Sequence, residues 1–263
     1  MESENTKSRR TEVENEVDKV EEKNSWIMQE LDNIKNIVFD LGGVLIDLEP
    51  ERTLKAFAEL KKYSLTLDNN SLAEKEEKGK SPISINDLIG GGESEWMQKY
   101  QIGKITTEEF FSHVASGYHP SITKKQMEEA WCAMLISLPT NRLEMLKRLR
   151  KAGYQVLILS NTNEAHTAWV HRHFEEIGLQ IGKHVDRVYY SNEIGLAKPD
   201  HACYEYVIQD ANIRPNETLY IDDLEKNVKA GQLAGWTAIQ AIGDEWIEMA
   251  ERMVEARSTM RSY

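Results

Sequence analysis

The chain has 263 residues, 40% of them hydrophobic, and its 44 acidic and 32 basic side chains give a formal net charge of −12. That length and apolar content exclude a chain disordered throughout, and they fit one α/β domain of full size or one carrying a smaller insertion. The acidic balance argues against a nucleic-acid partner, because affinity for a phosphate backbone rests on clustered Lys and Arg.

The first ten residues, MESENTKSRR, have no apolar stretch of the signal-peptide kind, and no run approaches the length of a membrane span. The expectation is a soluble, cytoplasmic protein with no membrane partner. Residues 1–34 form a charged segment in which Val13, Val17, Val20, Ile27, Leu31 and Ile34 fall on alternating steps of 4 and 3, Asn24 filling the gap. This is a heptad seam near the minimum for a coiled coil. It reads either as a helix for self-association or as a frayed acidic tail. Residues 36–41 (NIVFDL) then read as a buried strand running into Gly42-Gly43. From about 51 to 138 the pattern is helical: LKAFAELKK, ESEWMQKYQIG, TTEEFFSHVA and TKKQMEEAWCAML. Thr106 or Thr107 can cap the third of these and Thr123 the fourth. Strands and helices alternate afterwards. Strands are expected over 154–159, 187–190, 218–221 and 236–241, with helices over 141–152, 165–176, 204–210 and 225–233 and at the chain end. Such alternation means a doubly wound parallel sheet covered on both faces, the Rossmann-like α/β class. The core would span 35–50 and 139–263, with a helical insertion at 51–138.

Ligands in open parallel sheets bind beyond the carboxyl ends of the strands. There the sequence places Asp40, Ser160-Asn161, Asp222-Asp223 and, in a loop before a helix, Lys198. Each alone is an ordinary turn former or helix cap. Together they suit phosphoryl transfer: carboxylates for Mg²⁺, a lysine and a hydroxyl for phosphoryl oxygens, and an aspartate able to act as nucleophile. The two cysteines, Cys132 and Cys203, lie far apart and outside any metal-binding spacing, which leaves neither a disulfide framework nor a thiolate zinc site.

The segments FDLGGVLID, LILSNTN, GLAKPD and YIDDLEKNVKAG resemble, in order, the four motifs of the haloacid dehalogenase-like hydrolase superfamily. The resemblance runs from about residue 36 to the chain end and implies a Rossmann-like core with a helical cap inserted after the first strand. It implies Asp40 as nucleophile and Mg²⁺ ligand, with Ser160 and the Asn161 backbone on the phosphoryl oxygens. It also implies Lys198 as the neutralising charge, Asp223 as a metal ligand, and Asp222 as a ligand either directly or through water. The family's usual second aspartate, two residues after the nucleophile, is replaced here by Gly42. Its backbone carbonyl can still meet the metal, but leaving-group protonation loses its acid, a contribution commonly worth about 10² to 10⁴ in rate. The stretch LSNTNEAH, with this glycine, resembles the branch holding α-D-glucose-1-phosphate phosphatases and the phosphatase domain of epoxide hydrolases. His166 is then a candidate substitute acid or substrate contact, with a surface histidine as the plain alternative. Asp47 is a second candidate donor, better suited to fixing the flap after the first strand.

In the insertion, Trp96 and Tyr100 form an i, i+4 pair, read either as core or as a pocket wall. His171 and His173 stand two apart on a helix and so face different ways, which speaks against a zinc pair. The expected activity is an Mg²⁺-dependent phosphatase of small phosphorylated metabolites, sugar phosphates above all. The alternatives are a catalytically weak binding protein of the same fold, which Gly42 keeps open, and a phosphomutase.

Overall fold

Buried β-branched and aromatic runs build the centre of the molecule. The computed structural model describes residues 31, 33–68 and 94–260. Among these, five strands form one sheet: β1 (Asn36–Phe39), β2 (Gln155–Ser160), β3 (Arg187–Tyr190), β4 (Thr218–Asp222) and β5 (Thr237–Gln240). Their order is β3-β2-β1-β4-β5 and every pairing is parallel. β1 and β4 are buried along their whole length, which is why they read as continuous apolar runs rather than alternating ones.

The two faces of the sheet separate by the strand period of two. Ile37, Phe39, Val156 and Ile158 enter one core, and Val38, Leu157, Leu159 and Tyr220 enter the other. Helix α5 (Thr140–Ala152) and helix α10 (Ile247–Met260) contribute to the first, while α8 (His201–Asp210) and α9 (Glu225–Leu233) contribute to the second. From β1 the chain builds outward through β2 and β3, then returns to β4 on the other side. The direction of winding therefore reverses at the β1/β4 pair. A crevice at such a switch point is where an open sheet takes its ligand.

Among the described residues, four α-helices lie between β1 and α5: α1 (Pro50–Asp68), α2 (Glu95–Gln101), α3 (Thr107–Val114) and α4 (Lys124–Cys132). Thr106 and Thr123 begin α3 and α4 with capping boxes closed by Glu109 and Gln126, so both cap positions agree with the sequence. These helices pack around their own cluster, which includes Phe57, Phe110, Phe111 and Trp131. Tyr100 belongs to that cluster, fully buried and stacked on Phe110, and Trp96 stacks on His113. Tyr100 is therefore core, Trp96 is half-buried, and neither lines the cavity described below.

Seam positions 13 to 27 lie outside the described residues. Leu31 and Ile34 are described, and both are buried in the core of the sheet domain. The hydrophobic period at the end of the segment thus serves internal packing, not a partner helix. No helix among the described residues is long and apolar enough to cross a membrane.

Candidate active site

The sheet order brings the sequence-selected groups to one edge. Asp40 directly follows β1, Ser160 ends β2 and Asp222 ends β4. Lys198 comes from the loop after the short helix α7 (Ser191–Ile194). The Asn161 side chain brackets the Lys198 backbone, accepting from its N–H at 2.8 Å and donating to its carbonyl at 2.7 Å. Lys198 Nζ donates to Asp40 Oδ1 at 2.6 Å, Asp222 Oδ2 at 2.7 Å and the Leu159 carbonyl at 2.9 Å. Three acceptors for three ammonium protons leave the buried lysine fully satisfied.

Carboxylate oxygens of Asp40, Asp222 and Asp223 lie within 4.8 Å of one another. Burial pushes the Asp40 carboxyl up to about 7; Lys198 opposes that rise, and Asp222 and Asp223 add to it. Burial works against the Lys198 charge, but the two carboxylates outweigh it and hold the ammonium above the ordinary lysine value. Burial also raises Asp223, with the Asp222 charge adding to it.

Asp222 differs from its neighbours because both its oxygens are taken. Oδ2 accepts from Lys198 and from the Tyr220 hydroxyl, and Oδ1 accepts from Leu224 N and Asn227 Nδ2, each at 2.9 Å. Its side chain is 0% exposed. Direct ligation of a metal by Asp222 would break one of these bonds, so of the two sequence-level alternatives the geometry favours contact through water. Asp40, Asp223 and the Gly42 carbonyl are better placed. That carbonyl accepts no backbone hydrogen bond among the described residues. Gly43 closes the turn at φ +79, and a Cβ there would stand 2.7 Å from Asp223 Oδ2.

The site opens into a cavity of about 680 Å³ between the sheet edge and the insertion. Asp40, Ser160, Asn161, Lys198 and Asp223 line its core side, and Met97, Gln101 and Trp131 line the other. A Cβ at Gly42 would stand 2.9 Å from Leu48 Cδ1, so an apolar side chain occupies the space next to the position of the family's second aspartate.

His166 also lines the cavity, on helix α6 (Glu164–Glu176), with Nε2 3.3 Å from the Trp131 carbonyl. It is not the surface histidine of the plain reading. Burial pulls its imidazole down to about 4, only partly offset by that carbonyl. The ring is therefore neutral near pH 7 and holds no imidazolium proton to give a leaving group. Asp47 is likewise committed, pairing at 2.7 Å with the buried Arg142, which also binds the Leu45 carbonyl and Asp244. It fixes the flap. His173 Nε2 accepts from Leu138 N at 2.9 Å, which gives that ring a structural partner.

The haloacid dehalogenase-like hydrolase model matches residues 34–235. The chain belongs to the haloacid dehalogenase-like hydrolases. Among relatives of this hydrolase is a D-ribitol-5-phosphate phosphatase of Bacteroides thetaiotaomicron, 27% identical over 215 residues, 81% of this chain and 95% of that one. A wild-type enzyme of the family from the same organism, solved with magnesium and inorganic phosphate, has a TM-score of 0.65 at 30% identity, covering 82% of this chain and 98% of that one. Rat bifunctional epoxide hydrolase 2 is 25% identical over 111 residues, 42% of this chain but 20% of that protein.

Several contributors had no sequence signal strong enough to single them out. Tyr220 lies two residues before Asp222 and so shares its strand face, and Asn227 lies five after it on α9. Those spacings were available clues. Leu48, Met97 and Gln101 were not marked by any pattern.

Proposed function

We propose that this hydrolase is an Mg²⁺-dependent phosphatase of small phosphorylated metabolites, sugar or polyol phosphates, acting through an aspartyl-phosphate on Asp40. The observation that carries this is the buried Lys198 ammonium joining Asp40 to Asp222, with Asp223 beside them at the β1/β4 switch point. The donor set fits Mg²⁺, a hard cation held by one or two carboxylates with water and phosphate oxygens completing its shell. Asp40, Asp223 and the Gly42 carbonyl would hold it, with Asp222 supporting from behind. When bound it supplies positive charge against the phosphoryl oxygens and favours ionised carboxylates.

The residues then divide the work. The Asp40 carboxylate attacks phosphorus, forming an O–P bond as the bond to the leaving oxygen breaks. Lys198 holds one Asp40 oxygen in place and offsets negative charge as the phosphoryl group arrives. Ser160 Oγ and the Asn161 backbone N–H donate to phosphoryl oxygens. Water then attacks the aspartyl-phosphate, releasing inorganic phosphate and restoring the carboxylate. Residues 51–138 act as a cap excluding bulk water from the cavity.

Two tests arise from this division. In Gly43→Ala, the new methyl group must displace Asp223, and disturbing a metal site's supporting geometry typically costs about 10- to 100-fold in metal affinity. The Mg²⁺ concentration for half-maximal phosphate release should rise by that factor; an unchanged requirement would remove Asp223 from the metal site.

The second concerns Gly42. With Leu48 beside the vacated position and His166 neutral, no ready acid protonates a departing alkoxide. An anomeric oxygen leaves more easily than an ordinary sugar oxygen, so a sugar 1-phosphate should turn over faster than the 6-phosphate of the same sugar. His166→Ala should slow an aryl phosphate and an alkyl phosphate alike, as expected for a binding contact. A selective loss on the alkyl ester would restore His166 as the acid. The named substrate of the Bacteroides relative is a primary alkyl phosphate, the opposite leaving-group class, so this paired assay is decisive for the leaving-group argument. Gly42 also favours the rival reading of a catalytically weak binding protein, which absence of phosphate release across a metabolite screen with Mg²⁺ would support.

A further inference from the structure

We propose that Gln101 reads a hydroxyl group on the leaving portion of the substrate, and that Ser191 and Gly103 hold it in register with the phosphate end of the site. This rests on the phosphatase reading above and narrows its substrate class to uncharged polyhydroxylated phosphates.

Helix α2 presents Met97, Gln98 and Gln101 to the cavity, and Ile102 follows at its end. Residues three and four apart share one helix face. The Gln101 side-chain amide has no protein partner among the described residues. Its backbone, by contrast, is tied to the core. Ser191 Oγ lies 2.6 Å from the Gln101 carbonyl and accepts from Thr162 N at 2.9 Å. One buried hydroxyl thus joins the end of α2 to the loop that follows Ser160. Two residues on, Gly103 adopts φ +67, and a Cβ there would stand 2.1 Å from the Asn192 carbonyl oxygen. Only glycine permits so close a backbone approach. A third tie comes from Tyr100, whose hydroxyl accepts from Ala165 N at 3.2 Å. Gln101 therefore projects from an anchored point on the otherwise separate insertion.

The chemistry of the wall decides what that amide meets. Among its described residues, the insertion contributes no charged side chain to the cavity; their polar members are Gln98 and Gln101. Asp200 and Lys226 supply charge from the core side, where both are exposed. A carboxylate or ammonium facing the described part of this wall would lose water without gaining a counter-charge from it. A hydroxyl suits a carboxamide, which both donates and accepts.

The test is steady-state kinetics of the full chain with Mg²⁺ on ribitol 5-phosphate, p-nitrophenyl phosphate and 3-phosphoglycerate. A site built to bond a hydroxyl loses discrimination when that bond goes. Gln101→Ala should therefore lower the ratio of kcat/KM for the polyol phosphate over the aryl phosphate by about tenfold, the scale of one hydrogen bond. Gln101→Arg should raise the ratio for 3-phosphoglycerate over ribitol 5-phosphate. Ser191→Ala should lower the polyol-to-aryl ratio as well, but much less in a Gln101→Ala background, because it acts through Gln101. A general structural role for Ser191 predicts the same loss in both backgrounds and would overturn its part. A polyol-to-aryl ratio unmoved in Gln101→Ala, while wild-type aryl turnover is intact, overturns the proposal alone. A wild type that releases phosphate from none of the three overturns the phosphatase reading and this inference with it.

Discussion

Asp40→Asn is expected to abolish phosphate release while the protein keeps its fold. The amide has nearly the shape of the carboxylate it replaces, so the turn after β1 and the packing around it need not change. Its chemistry does change: an amide oxygen is a poor nucleophile toward phosphorus, and the neutral group no longer holds a cation as an anion does. Removing a nucleophile commonly costs at least about 10³-fold in kcat, since the remaining site can only bind and polarise the substrate. Stability should move little. One of the Lys198 ion pairs is lost, but a carboxyl that burial and its acidic neighbours already push up to about 7 is no longer a crowded charge. Circular dichroism and a urea titration check the fold, and a phosphate-release assay with saturating Mg²⁺ checks the chemistry. Turnover within tenfold of wild type would place the nucleophile elsewhere.

The sheet edge that carries the candidate site was legible because it rests on short-range signals. β1, β2 and β4 are apolar runs, each ending in or just before a polar group, and a parallel sheet aligns those ends. Lys198 reached the same edge through its motif, and there its ammonium makes three hydrogen bonds. The capping boxes at Thr106 and Thr123 were readable for the same reason, since a cap and its partner lie three residues apart.

What the sequence withheld depends on how elements turn toward one another. Trp96, Met97, Tyr100 and Gln101 share two turns of one helix, and nothing in their order says which of them faces the cavity. Packing against Phe110 and His113 claims Tyr100 and Trp96, which leaves Met97 and Gln101 for the pocket. The Leu31 and Ile34 period was equally ambiguous: over so few residues a 3.5-residue repeat and two side chains buried in the chain's own core look alike. His166 shows the same limit in its chemistry. Its place just after Ser160 was evident, but its neutrality comes from burial against Trp131, a residue of the insertion.

Lys198→Met is expected to destabilise the protein as well as silence it. Methionine fills similar space, so the change removes a charge more than it opens a void. The lysine side chain is 1% exposed and lies between Asp40 and Asp222, with Asp223 close by. Removing one partner of a buried ion pair typically costs about 3–5 kcal/mol, because the remaining charge stays desolvated without compensation. Here three carboxyl groups would be left facing one another. Asp40 loses the ammonium that donated to it, while Asp222 Oδ2 keeps only the Tyr220 hydroxyl and Oδ1 keeps Leu224 N and Asn227 Nδ2. The lost cation has a natural suppressor. Asp222→Asn removes the more deeply buried of the two carboxylates that faced the ammonium, so the double variant Lys198→Met/Asp222→Asn should recover part of the stability in urea unfolding. Activity should stay absent in both, because neither restores a cation beside Asp40 as phosphate arrives. Mg²⁺ separates the two roles of the lysine further: as a counter-charge at Asp40 and Asp223 it should stabilise Lys198→Met more than wild type, yet leave it inactive. Wild-type stability in Lys198→Met would mean that the three carboxyl groups do not need the ammonium, and full phosphate release from it would remove Lys198 from the reaction.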